Sequence, residues 1–145
     1  MSEPDRAGVP GWFWLIAGIA LLWNLMGCGV LLTEVFAKEA MMESFTAAQK
    51  EWSRSTPTWI YFVFAISVIT GIAGCVSLLM RKRLSLPLFA ISCIAVIVQM
   101  TYTMLIDRGL QVMGPSGAVM PVLVVILSIV WFQFARIGKV KKWLV

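Results

Sequence analysis

Four long apolar runs occupy most of this 145-residue chain. Hydrophobic residues make up 60% and charged residues only 13% of the sequence, whereas a typical soluble domain carries about 25% charged residues. A helix of about 20 apolar residues is long enough to cross a bilayer. We therefore predict one all-α membrane domain over residues 1–145, an up-and-down bundle of four transmembrane helices. The predicted spans are Trp12–Phe36, Pro57–Met80, Leu86–Ile106 and Ala118–Ala135.

The basic residues that flank these runs predict an orientation. Eight of them fall on one side of the membrane under this topology: Arg6, Arg81, Lys82, Arg83, Arg136, Lys139, Lys141 and Lys142. Only Lys38, Lys50, Arg54 and Arg108 fall on the other side. Because Lys and Arg are enriched in cytoplasmic flanks, we expect a multi-pass protein with both termini in the cytoplasm. The net charge of +5 is then a topology signal, and we expect no nucleic-acid partner.

The residue types that support metal and redox chemistry are scarce. The chain has no histidine, the commonest ligand for haem, zinc and copper. Cys28, Cys75 and Cys93 lie inside the apolar runs without C-x-x-C spacing, which is typical of small packing residues. We expect no metal or other cofactor, although bound lipid fits such a chain. Since neither a nucleophile–base pattern nor a glycine-rich phosphate loop is present, we predict a non-enzymatic protein.

Uncharged polar residues interrupt three of the runs near their centres. Counting ~1.5 Å per residue from the predicted span ends places Asn24, Ser67 and Gln99 at a similar depth, with Thr70 beside Ser67. An unpaired amide in hydrocarbon costs several kcal/mol, so these side chains should face inward and meet in one layer. The layer fits two interpretations, hydrogen-bonded contacts between helices or a midplane site for an uncharged polar solute.

A second group of polar residues lies near the outer ends of the predicted spans. Glu34 and Asp107 fall at similar depth, with Tyr61, Tyr102, Lys38 and Arg108 close by. They predict either an acidic vestibule or ordinary solvated helix ends. Between spans one and two, apolar residues at helical spacing indicate a short amphipathic outer helix; they are Met41, Met42, Phe45, Ala48 and Trp52.

Several short motifs resemble a known family. They are Trp12-Phe13-Trp14, Leu22-Trp23-Asn24-Leu25-Met26-Gly27, Thr56-Pro57-Thr58-Trp59, Gly71-x-x-Gly74-Cys75, Arg81-Lys82, Pro87-Leu88-Phe89, Val98-Gln99 and Gly117–Pro121. Together the chain is similar to small bacterial four-span inner-membrane proteins commonly described as sugar transporters. The resemblance covers nearly the whole chain and implies the bacterial inner (cytoplasmic) membrane. The resemblance includes no motif that ties a substrate to particular residues, so no site residue is assigned from it.

Two functional hypotheses follow from these features. The first is an accessory or scaffold subunit packed in a larger inner-membrane assembly, with other membrane subunits or self copies as partners. The second is a small homo-oligomeric transporter or channel for an uncharged polar solute such as a sugar. A chaperone or regulator that acts through the outer helix is a third possibility, with no specific motif behind it.

Overall fold

The computed structural model describes residues 8–145, so Arg6 of the orientation argument lies outside the described residues. Seven helices follow one another within residues 8–145: α1 (Gly11–Phe36), α2 (Lys38–Met41), α3 (Ala47–Arg54), α4 (Thr58–Leu79), α5 (Ser85–Thr101), α6 (Gly109–Gly117) and α7 (Val119–Val140). A single 3₁₀ turn, Met42–Ser44, follows α2, and a π-helical turn, Tyr102–Ile106, extends α5. No strand occurs within the described residues. The predicted all-α membrane fold is confirmed, because four helices are long and apolar enough to cross a bilayer.

The four long helices pack in the order α1, α4, α5, α7. We call the end of the bundle that contains Gly11, Leu79, Ser85 and Val140 the tail end. The opposite end, which contains Phe36, Thr58, Ile106 and Val119, is the loop end. Helix α7 runs five residues beyond the predicted Ala135. The apolar run stops at Arg136, but Arg and Lys are good helix formers, and the hydrogen-bonded helix continues to Val140.

The tail end contains the main hydrophobic core. Phe13 on α1 is fully buried, and its ring centroid lies 5.4 Å from that of Phe134 on α7 and 5.8 Å from that of Trp143. Ala17 and Ala20 continue this buried face of α1, and no residue of α1 beyond Ala20 is fully buried. Helix α7 behaves in the same way, because its buried residues begin only at Ser128. The two outer helices of the bundle are therefore closely packed only towards the tail end.

The chain after α7 folds back across the tail end. The backbone N–H of Val145 donates to the carbonyl of Arg81 at 2.6 Å, and the N–H of Arg83 donates to the carbonyl of Val145 at 3.1 Å. Arg81 also donates from its side-chain Nε to the carbonyl of Trp143 at 2.8 Å. Trp143 and Leu144 are buried. The segment Lys141–Val145, here called the tail, is thus fastened to the α4–α5 link.

The loop end is built from short helices. The predicted outer helix exists, but it is divided into α2, the 3₁₀ turn and α3, because Phe45 is extended (φ −79°, ψ 148°) and Thr46 starts a new helix. The Thr46 hydroxyl accepts from the N–H of Gln49, and the Gln49 side chain accepts from the N–H of Thr46. This reciprocal pair is a capping box. Helix α6 is interrupted at Gly114, whose φ of 75° turns the chain towards α7.

Candidate functional site

Three helices meet at Gly71, in the middle of α4. The Asn24 Nδ2 of α1 donates to the Ala20 carbonyl at 2.8 Å and to the Cys75 sulfur at 3.5 Å. Its Oδ1 would lie 2.0 Å from a Cβ placed on Gly71, and the Ser92 Oγ of α5 would lie 3.3 Å from the same position. Only a residue without a side chain allows this approach. The Asn24 amide therefore fills the space above Gly71.

Helices α4 and α5 are joined directly at this depth. The Ser92 hydroxyl donates to the carbonyl of Ser67 at 2.7 Å, and the Ser67 hydroxyl donates to the carbonyl of Phe64 in its own helix at 2.7 Å. One turn towards the tail end, the Phe89 ring lies 3.1 Å from where a Cβ of Gly74 would be. Small residues at such positions let helix backbones approach closely in lipid.

The fourth long helix contributes through Ser128. Its hydroxyl donates to the Val125 carbonyl at 2.7 Å and to the Cys93 sulfur of α5 at 3.6 Å. Three spanning helices therefore carry a polar side chain that reaches a neighbouring helix: Asn24, Ser92 and Ser128. The fourth, α4, accepts through the backbone carbonyl of Ser67. Ser92 and Ser128 were not among the predicted layer residues. A hydroxyl group inside an apolar run was a signal for both.

Thr70 and Gln99 lie differently from the prediction. The Thr70 hydroxyl donates to the Ile66 carbonyl at 2.6 Å, so it is satisfied within its own helix. Gln99 is buried, with 7% of its surface exposed, and its side chain makes no hydrogen bond within residues 8–145. It is two turns, ~10 Å, from Ser92 towards the loop end. The prediction of one common level is therefore wrong for Gln99.

The error comes from counting depth from the helix ends. Asn24 lies thirteen residues after the first residue of α1, and Ser92 lies seven residues after the first residue of α5. Both nevertheless reach Gly71. Helix α1 therefore starts ~9 Å further out at the tail end than α5 does, where Phe13 packs against Trp143.

The predicted loop-end polar residues separate into two groups. In the first, the Lys38 Nζ donates to the Tyr61 hydroxyl at 2.8 Å and to the carbonyl of Ser53. Glu34 is half-buried near the end of α1, four positions before Lys38 and on the other side of the bend at Ala37. The hydrogen bonds of Lys38 join α2, α3 and α4.

The second group lies over α6 and the end of α5. The Trp52 Nε1 donates to the backbone carbonyl of Asp107 at 2.8 Å, and the Tyr102 ring packs edge-on against Trp59 with centroids 4.7 Å apart. Gly109 is buried beneath Trp52, since a Cβ there would meet the indole at 3.1 Å. Neither Glu34 nor Asp107 takes part in an ion pair within residues 8–145. Neighbouring residues of α3, Trp52 and Ser53, thus connect the two groups.

One exposed ion pair connects two of the short helices at the loop end. Arg54 and Glu39 are 2.8 Å apart, with 58% and 75% of their side chains exposed. The hydrogen bond from Arg54 lowers the pKa of Glu39 below its ordinary value. The pair joins α2 to α3 across the 3₁₀ turn.

Two apolar grooves of about 410 and 330 Å³ adjoin each other on the outer surface of the bundle, beside α7 at the loop end. Their shared lining residues are Ala118, Val122 and Ile126. No group of three or more Cys, Asp or Glu residues that could hold a metal ion occurs in the part of the chain that the structure describes.

Comparison with known proteins gives no relative: no family model, curated protein or solved structure matches this chain. The resemblance to four-span proteins described as sugar transporters therefore stays a prediction.

Proposed function

We propose that this chain is a non-enzymatic accessory or scaffold subunit of a larger membrane assembly. The observation that carries the proposal is the contact of Asn24, Gly71 and Ser92, which fills the middle of the bundle with protein atoms. Three of the four predicted layer residues, Asn24, Ser67 and Thr70, bond to protein groups at mid-span. Such a bundle offers surface to neighbours and little space to a solute.

The outer surfaces of α1 and α7 support a role in packing. Large apolar side chains on these helices are more than half exposed, among them Leu22, Met26, Val119 and Met120. Within a bilayer such surfaces meet lipid or the helices of another subunit. The proposed location is the bacterial inner membrane with both termini in the cytoplasm, supported by the basic residues at the tail end.

The test is purification of the tagged full-length chain from its native membrane in a mild detergent. We expect foreign membrane subunits in fixed stoichiometry, and loss of that assembly when the chain is deleted. A chain that elutes alone, or only with copies of itself, contradicts the proposal.

Gln99 favours a second candidate, a small homo-oligomeric transporter of an uncharged polar solute. Gln99 is buried as a whole residue and its amide makes no hydrogen bond within the described residues, so the amide retains donors and an acceptor for a polyol. Reconstituted uptake that is lost in Gln99→Leu but retained in Asn24→Leu, with both variants folded, supports this candidate. Absence of uptake by the unaltered chain counts against it.

A further inference from the structure

The charges of the bundle are divided between its two ends. Within residues 8–145, seven cations lie at the tail end: Arg81, Lys82, Arg83, Arg136, Lys139, Lys141 and Lys142. Every acidic residue of this part of the chain lies at or near the loop end: Glu34, Glu39, Glu43, Glu51 and Asp107. The charged side chains of the described tail end are therefore all cationic.

The fold brings two separate basic segments together there. Residues 81–83 link α4 to α5, and residues 139–142 end α7, more than fifty positions later. The backbone bonds between Val145 and the Arg81–Arg83 link hold the second segment beside the first. Buried Trp143 and Leu144 anchor the tail in the core. The cations are thus held together by a folded contact.

Protein acceptors use few of the donors on this surface. Arg81 gives its Nε to the Trp143 carbonyl, and Arg83 gives its Nε to the Leu144 carbonyl at 3.5 Å. The Arg81 Nη2 is buried and has no partner within residues 8–145, so it does not face the surface. Lys82, Lys139 and Lys142 are exposed, and their ammonium groups make no hydrogen bond there. Seven like charges repel one another, so an anion at this surface is stabilised.

The position of the surface identifies the anion. It lies at the ends of four bilayer-spanning helices, beside Trp12 and Trp143, whose rings are 5.2 Å apart. Indole rings concentrate at the headgroup level of a membrane. Clusters of Lys and Arg at that level attract acidic phospholipids. The complementary partner is therefore a phosphate diester fixed in the leaflet.

We propose that the basic surface of the tail end, formed by Arg81–Arg83 and Lys139–Lys142, binds the headgroups of anionic phospholipids. This surface does not depend on the identity of any protein partner. It also differs in kind from the apolar grooves beside α7, which carry no charge.

The experiment uses the full-length protein in detergent and measures retained lipid by native mass spectrometry. Phosphatidylglycerol is the anionic probe, and phosphatidylcholine is the zwitterionic control. The test variant combines Lys82→Gln, Lys139→Gln and Lys142→Gln, all exposed positions. The matched control combines Lys50→Gln, Arg54→Gln and Arg108→Gln at the loop end, which removes the same charge.

We expect phosphatidylglycerol to bind the unaltered protein and the loop-end variant equally. The tail-end variant should bind it more weakly, by about fivefold for each cation removed. Added salt should weaken binding to the unaltered protein, because it screens exposed charges; this measurement does not depend on a variant being folded. Equal loss in both variants, or equal retention of the two lipids, overturns the proposal.

A second experiment distinguishes binding of a lipid headgroup from binding of a free anion. Inorganic phosphate is added in place of lipid, and the thermal unfolding of the protein is followed. We expect little stabilisation by inorganic phosphate and clear stabilisation by phosphatidylglycerol. The reverse result assigns the surface to a soluble phosphate and overturns the lipid proposal.

Discussion

The tail end and the loop end of the bundle are stabilised by different kinds of contact. At the tail end, Phe13, Phe134 and Trp143 form a buried aromatic cluster that joins the first and last spanning helices. At the loop end, the side chains of Lys38 and Trp52 reach across to other helices through hydrogen bonds. Close packing fixes many atoms at once, whereas each hydrogen bond fixes one pair of groups.

This difference predicts unequal stability along the same helices. A net hydrogen bond contributes about 1 kcal/mol, while truncation of a packed aromatic side chain costs about 3 kcal/mol. We therefore expect the loop end to open locally while the tail end stays folded.

The largest expected effect comes from Phe13→Ala. It leaves a cavity among Trp14, Phe134 and Trp143, and the free energy of unfolding in detergent should fall by about 3 kcal/mol. Phe36→Ala removes the same ring at the other end of α1, where 81% of the residue is exposed, and should change little. Equal losses in these two variants would contradict the contrast between the ends.

Next in size is the effect of Gly71→Ala at the point between the two ends where three helices meet. The new methyl group would lie 2.0 Å from the Asn24 Oδ1, so the amide must move and lose its bonds. Overpacking of this kind costs about 1–3 kcal/mol. Gly18→Ala is the matched control, because nothing lies within 4 Å of its Cβ position. Asn24→Ala should rescue Gly71→Ala in part; a fully additive double variant would argue against this contact.

A smaller and local effect is expected for Trp52→Phe. The change removes the Nε1 donor to Asp107 and should weaken the attachment of α3 to α6 by about 1 kcal/mol. Hydrogen exchange measured by mass spectrometry should accelerate in Ala47–Arg54 and Gly109–Met113, with the tail end unchanged. Trp59→Phe, at a tryptophan that packs on Tyr102, is the control. Faster exchange throughout the molecule would mean that the loop end does not open independently.

The smallest effect is expected for Arg54→Gln. Exposed ion pairs contribute little, so thermal stability at neutral pH should not change measurably. Because Arg54 lowers the pKa of Glu39 from 4.5, the contribution of the pair is complete above that value and fades as the pH falls through the lowered pKa. The variant should lose only this acid dependence. A marked loss of thermal stability at neutral pH would contradict this prediction and would mean that the ion pair stabilises the loop end substantially.

The four spanning helices follow from the sequence because each apolar run must satisfy its own backbone in lipid. The inward position of Asn24 also follows from the sequence, because an unpaired amide in lipid is costly. The depth of Gln99 relative to Ser92 could not be predicted, because the stagger of the helices depends on the packing of Phe13 against residues far along the chain. The interruption of the outer helix at Phe45 could have been predicted from the sequence, because Thr46 and Gln49 have the spacing of a capping box. The attachment of the tail to Arg81–Arg83 carries no local sequence signal.

The aromatic cluster at the tail end has a consequence for biosynthesis. Phe13 and its partner Trp143 are separated by the whole of α4 and α5, so α1 enters the bilayer well before its partner is made. Until α7 arrives, α1 packs mainly against α4, and the Asn24–Gly71 contact is part of that packing. The three-helix unit around Gly71 is then the natural insertion intermediate. A truncation before α7 should leave that unit in the membrane, exposed to quality-control proteases along the unpaired face of Phe13.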